Sequence, residues 1–149
     1  MHRSRLLVAA CAGALALTGA AAGKTPLPGF RTPSGNISCL WVPGGGSNLL
    51  CAIRSSSYST ALQARCLRPD GSGVDWHGFE LGATARGQVL CTGGILYNSD
   101  SQTPRYVTLA YGRSWRQGAF SCLSRVTGLT CRNRAGHGVF ISRESWRAW

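Results

Sequence analysis

Apolar residues in this chain come in short runs that alternate with polar ones, and glycine interrupts the runs every few positions. Alternation with period two marks a strand with one buried face, because successive side chains leave the backbone on opposite sides. The pattern predicts strands over 36–42, 49–54, 78–84, 87–92, 105–111, 119–123, 129–132 and 138–143. Between the first two lies Pro-Gly-Gly-Gly-Ser-Asn at 43–48, a glycine-rich loop of the kind that closes a hairpin. Pro69-Asp70-Gly71 marks a second turn, within 68–73. Residues 55–65 fit either a short helix around 60–64 or an irregular loop. Heptads and long helical periods are absent from the sequence. The fold class this predicts is all-β: a small antiparallel sandwich or barrel built of hairpins, with at most one short helix.

The first 22 residues break the alternation. Arg3 and Arg5 precede an apolar run over 6–17, and Ala20-Ala21-Ala22 offers a small-residue cleavage site. That is the layout of a secretory signal peptide cut after Ala22. The run is short and rich in Ala and Gly for a membrane span. Val8-Ala9-Ala10-Cys11 resembles a lipobox, but it follows Arg5 closely and lies inside the apolar run. Lipidation at Cys11 is therefore kept as the minor alternative. Residues 23–33 carry three prolines and read as an extended leader, and 34–149 read as one domain. The mature chain is expected to be secreted or associated with the cell envelope, without a membrane span.

Six cysteines follow the signal, an even number in an exported chain, which reads as a disulfide framework. Ile37-Ser38-Cys39-Leu40 resembles Phe120-Ser121-Cys122-Leu123. Leu50-Cys51-Ala52-Ile53-Arg54 resembles Thr130-Cys131-Arg132-Asn133-Arg134. Each set is a pair of strands joined by a glycine-containing loop, and neighbouring antiparallel strands bring Cα atoms within cystine reach. The expected pairs are Cys39–Cys51, Cys66–Cys91 and Cys122–Cys131. They account for every cysteine after Cys11, and His77 and His137 alone make a poor zinc site. No metal and no cofactor are expected.

Charge adds a partner class. Without Arg3 and Arg5 the chain carries 14 Lys and Arg against 5 Asp and Glu, a surplus of +9. Such a surplus attracts anionic surfaces and polymers. For an exported protein these are wall polymer, lipid head groups or another protein, with no specific nucleic acid implied. Arg132, Arg134, Arg143, Trp146, Arg147 and Trp149 are the candidate binding residues. Arg143-Glu144-Ser145-Trp146-Arg147-Ala148-Trp149 interleaves Arg and Trp, and on a helical turn Trp146 and Trp149 would share a face.

Phe30-Arg31-Thr32-Pro33-Ser34-Gly35-Asn36-Ile37-Ser38-Cys39 opens the domain. Gly128-Leu129-Thr130-Cys131-Arg132-Asn133 and then Gly136-His137-Gly138-Val139-Phe140-Ile141-Ser142-Arg143 close it. With Asp75-Trp76 and Tyr111-Gly112 between them, these motifs resemble a DUF6636-like family of small exported actinobacterial domains of unknown function. His77 interrupts the Asp-Trp-Gly form expected there. The resemblance implies export, disulfides and a compact β-rich domain, and it transfers no catalytic residue.

Candidate chemistry is sparse. Asp75, His77 and His137 are the polar residues best suited to catalysis. With Glu80 they would serve a small envelope hydrolase through paired carboxylates or a general base. Asp75-Trp76-His77 reads equally as a loop with a half-buried Trp, and Gly136-His137-Gly138 as a turn before a strand. Ser34-Gly35-Asn36 reads as turn chemistry. No Gly-x-Ser-x-Gly elbow is present. The balance points to a non-enzymatic binding module for an anionic envelope component or a protein partner. The alternatives are that hydrolase, or a secreted inhibitor or effector presenting the 43–48 loop.

Overall fold

Burial alternates along most of the strands that hold the central cysteines, and this fixes which face of each strand meets the core. In the strand holding Cys39, Ile37 and Cys39 are buried on the core face and Leu40 is buried as well; around Cys131 the buried positions are Leu129, Cys131 and Asn133. The computed structural model describes residues 27–44, 46–74, 76–91 and 104–149. The signal segment, Cys11 and Asp75 lie outside the described residues.

The described chain forms β1 Leu27–Arg31, β2 Ile37–Val42, β3 Asn48–Ile53, α1 Ser59–Cys66, β4 Trp76–Gly82, β5 Gly87–Cys91, β6 Pro104–Thr108, β7 Ser114–Gln117, β8 Phe120–Arg125, β9 Gly128–Asn133, β10 Gly138–Ile141 and β11 Trp146–Ala148. The strands make two sheets, ordered β5-β4-β3-β2-β1-β6 and β11-β10-β9-β8-β7. The fold is an all-β disulfide-stapled sandwich, with one short helix among the described residues. Among the described residues no helix is long and apolar enough to cross a membrane.

Three expectations change. The stretch read as a leader over 23–33 supplies β1, whose Phe30 is fully buried. The first sheet is mixed rather than purely antiparallel, because β1 pairs antiparallel with β2 and parallel with β6. The 146–149 segment is a strand followed by Trp149, not a helical turn, and it pairs with β10. The helix option for 55–65 holds: α1 buries Leu62 and Cys66, one turn apart on one face.

Cys39 is bonded to Cys51 across β2–β3, with Cα atoms 4.1 Å apart, and Cys122 to Cys131 across β8–β9, at 4.0 Å. Both pairs sit directly opposite in register. The similar sequences around them are thus equivalent central hairpins, one in each sheet. They face one another through the core: the sulfurs of Cys39, Cys51 and Cys131 lie within 4.8 Å of each other. Flanking them, Phe30 of β1 packs on Trp115 of β7 at 4.9 Å, and Phe79 of β4 on Trp146 of β11 at 5.2 Å. The third bridge, Cys66–Cys91, ties the end of α1 to β5.

The position in β9 that matches Ile53 of β3 is held by Asn133. Its amide donates to the carbonyls of Gly82 and Ala85 at 2.8 Å each, and its oxygen accepts from the N–H groups of Ala135 and His137. One buried side chain therefore fastens the β4–β5 turn of the first sheet to the β9–β10 turn of the second. His77 also finds a structural explanation. Trp76 pairs with Cys91 and Gly78 with Leu90, so His77 is the extra residue of a β-bulge. Gly78, at φ +128°, leaves no room for a side chain against the Cys51 carbonyl.

Candidate functional site

With Cys122, Ser124, Leu129 and Cys131 turned into the core, the residues between them must point outward. The outer face of the second sheet accordingly carries Arg116 on β7, Ser121, Leu123 and Arg125 on β8, Thr130 and Arg132 on β9, Phe140 on β10 and Arg147 on β11. Arg134 follows Arg132 in the adjoining turn. These five arginines are exposed. Of the described acids, Asp70 lies in the turn after α1, Glu80 on the first sheet and Glu144 in the turn before β11. None lies on the sheet face itself, and Glu144 lines the cavity at its end beside Arg125 and Arg143. None of the five guanidinium groups forms an ion pair or hydrogen bond among the described residues. Their charge is unneutralised, and it is concentrated on one face.

Trp149 organises two of these groups. Its ring lies over Gly138, where an added Cβ would meet the indole carbons at 2.6 and 3.0 Å. The indole N–H donates to the Gly136 carbonyl at 3.0 Å. The guanidinium of Arg132 lies 5.3 Å from the ring centroid and that of Arg147 4.9 Å. Cation–π contact holds both side chains over one platform and reduces the rotamer freedom they would lose on binding a ligand. Trp146 does not share this face. In a strand, residues 146 and 149 fall on opposite sides, and Trp146 packs inward on Phe79 with Arg65 over it at 5.8 Å.

The face runs at one end into a polar cavity of about 420 Å³, lined by Thr32, Ser34, Asn36, Arg125, Arg143 and Glu144 among others. The cavity joins the motif that opens the domain to the one that closes it. Asn36 clamps Ser55 through two 3.0 Å hydrogen bonds, and Ser34 accepts from the Asn36 N–H. Ser34 and Asn36 thus perform turn chemistry while their loop forms a wall. Opposite, the Ser142 hydroxyl accepts from the Glu144 and Ser145 N–H groups, and the Ser142 carbonyl accepts from Tyr58 Oη at 2.8 Å.

Burial pushes the Tyr58 phenol up to about 12 from an ordinary 10.0; the Ser56 hydroxyl offsets part of this, and the Glu144 carboxylate adds to it. Because the folded value lies above the unfolded one, the contribution of Tyr58 to stability is full below pH 10 and is lost as pH rises toward 12. A spectrophotometric titration of tyrosinate should show a component ionising near pH 12 that Tyr58→Phe removes. Titration of all tyrosines at their ordinary value would contradict the placement.

Of the candidate catalytic residues, the two whose side chains are described, Glu80 and His137, do not line this cavity. Asp75 and the His77 side chain lie outside what the structure describes. Glu80 sits between buried Phe79 and Leu81 on the outer face of the first sheet, its carboxylate accepting from Gln88 at 2.9 Å. His137 is in the β9–β10 turn, its N–H held by Asn133. The 43–48 loop joins β2 to β3, with Gly45 outside the described residues. Of the candidate binding residues, Arg132, Arg134, Arg147 and Trp149 share one face, Arg143 stands at its end, and Trp146 is inside. Arg116 and Arg125 were missed by the sequence reading. The signal that finds them is parity: Arg125 is an odd number of residues from Cys122, and Arg116 lies opposite outward-facing Ser121.

No curated protein and no solved structure matches this chain. A family model does match, over residues 9–147, and its description is a family of unknown function, DUF6636.

Proposed function

We propose for this chain, which belongs to the DUF6636 family of unknown function, the role of an exported, non-enzymatic module that binds an anionic envelope component through the outer face of its second sheet. The observation that carries the reading is the set of five unneutralised arginines, Arg116, Arg125, Arg132, Arg134 and Arg147, on one face that holds none of the described acids. Guanidinium groups present paired donors that match phosphate and carboxylate oxygens. The signal-like first 22 residues and the three disulfides support a location outside the cytoplasm.

The test is adsorption to an anionic surface, such as isolated wall polymer or phosphatidylglycerol vesicles, across a salt series. Binding is expected to weaken steeply as salt rises, because exposed charges are screened. Combining Arg116→Glu, Arg132→Glu and Arg147→Glu should weaken it by about tenfold or more, with the melting temperature unchanged. Equal retention at low and high salt, or an unaffected triple variant, would count against the proposal.

A further inference from the structure

We infer that the ligand of this face is a linear, phosphate-bearing polymer laid along β8 and β9, an inference that rests on the anion-binding reading above. Three concave surfaces run into one another. The end cavity shares Arg125 and Thr127 with a depression of about 530 Å³ over the middle of the sheet. That depression shares Ser121 and Arg132 with a third, of about 320 Å³, lined also by Arg116 and Arg134. The path follows two strands of six residues each, so it is about 20 Å long.

Charge is stepped along this path. Arg143 and Arg125 stand at one end; at the other, Arg116 and Arg132 share one rung through Ser121, Arg132 and Arg147 meet over the Trp149 ring, and Arg134 follows in the adjoining turn. Ser121 and Arg125 are four residues apart on one strand, so the Arg132 rung and Arg125 are separated by about 13 Å. A single small anion cannot reach both, whereas a chain of anions can.

Two features favour a chain over a bilayer. The arginines line concavities that a flat surface would bridge without entering. The Trp149 ring, the aromatic suited to a head-group layer, has its N–H bonded to Gly136 and two guanidinium groups over it. Phosphate is favoured over carboxylate by the hydroxyls between the arginines: Ser114, Ser121, Thr127 and Thr130 line the middle depression. The oxygens of a tetrahedral phosphate are not confined to one plane and can accept from hydroxyls above and below a guanidinium fork, whereas the lone pairs of a carboxylate lie near its own plane.

The experiment measures affinity of the full-length mature protein for inorganic polyphosphate of graded length, starting from tripolyphosphate. Polyglutamate of matched length and phosphatidylglycerol vesicles serve as the other arms. Affinity per phosphate should rise about a hundredfold with length and level off once the chain spans the groove, as linked contacts do. Arg125→Glu, at the end remote from the Arg132 rung, should lower the affinity for long polyphosphate by a larger factor than that for tripolyphosphate, and an equal loss on both would overturn the inference; Arg125→Gln substitutes if the Glu variant melts early. A flat length dependence, or polyglutamate binding equally well, overturns the inference. Vesicles binding more tightly than any soluble chain, with loss on Arg132→Glu, overturns it while the anion-binding reading stands. No binding in any arm at low salt overturns both.

Discussion

Full reduction is expected to abolish cooperative unfolding or lower its midpoint by more than about 20 °C. The bridges close loops of 12, 25 and 9 residues. Loop-closure entropy makes such bridges worth about 2.5–3.5 kcal/mol each. Together they approach the net stability of an ordinary domain, about 5–15 kcal/mol. Their placement raises the cost further. Cys39–Cys51 and Cys122–Cys131 are at most 1 % exposed and touch across the sandwich, so opening either one disturbs the contact surface of both sheets. Cys91 is exposed, and Cys66–Cys91 should therefore be reduced first, in the still-folded protein. The two core cystines should follow only when the sandwich opens. Timed alkylation with peptide mass mapping checks the order, and thermal melting with and without reductant checks the magnitude. Midpoints within about 5 °C of each other would show that hydrophobic packing alone suffices.

Asn133→Ala is expected to cost about 3 kcal/mol, roughly 10 °C in melting temperature. The side chain is 6 % exposed and uses both amide hydrogens and both oxygen lone pairs. Truncation leaves the Gly82 and Ala85 carbonyls without their donor at the junction of the two sheets. Asn133→Asp separates hydrogen bonding from shape. It keeps the acceptor, loses the donor, and sets a carboxylate against two carbonyl oxygens. The folded pKa of that new carboxyl should be raised, so its stability is present at low pH and lost as pH rises through the raised value. The variant should therefore melt closer to the wild type at pH 4 than at pH 7. A shift of less than about 2 °C for Asn133→Ala would show that water replaces the amide.

Much of the fold was legible in the chain, and the cysteines made it so. Alternation around Cys39, Cys51, Cys122 and Cys131 exposes four central strands, and hairpin spacing joins them locally. The elements that escaped had weak or misleading local signals. β1 carries Pro28 and Gly29, which suggest a leader, and its partner β6 lies more than 70 residues away in sequence. β7 is four residues long with one apolar side chain, Trp115. β11 is three residues long, too short to distinguish a period of two from one of 3.6. That ambiguity is why Trp146 and Trp149 read as neighbours and turned out to lie on opposite sides of a sheet.

By itself the sequence determined the strand alternation, the number of cysteines and the cationic surplus, because each depends only on neighbouring residues or on a sum over the chain. It therefore determined that Arg132 stands on the opposite face of its strand from Cys131, while Arg125 lies beyond the strand the pattern predicts over 119–123. Only the tertiary structure decided that the two stapled hairpins face each other, that Asn133 locks one sheet's turn to the other's, and that arginines from β7, β8, β9 and β11 gather on a single face. Alternation sorts side chains into two sets, but it does not say which set is buried. Packing one sheet against the other chooses that, and non-local strand order then chooses which exposed sets become neighbours.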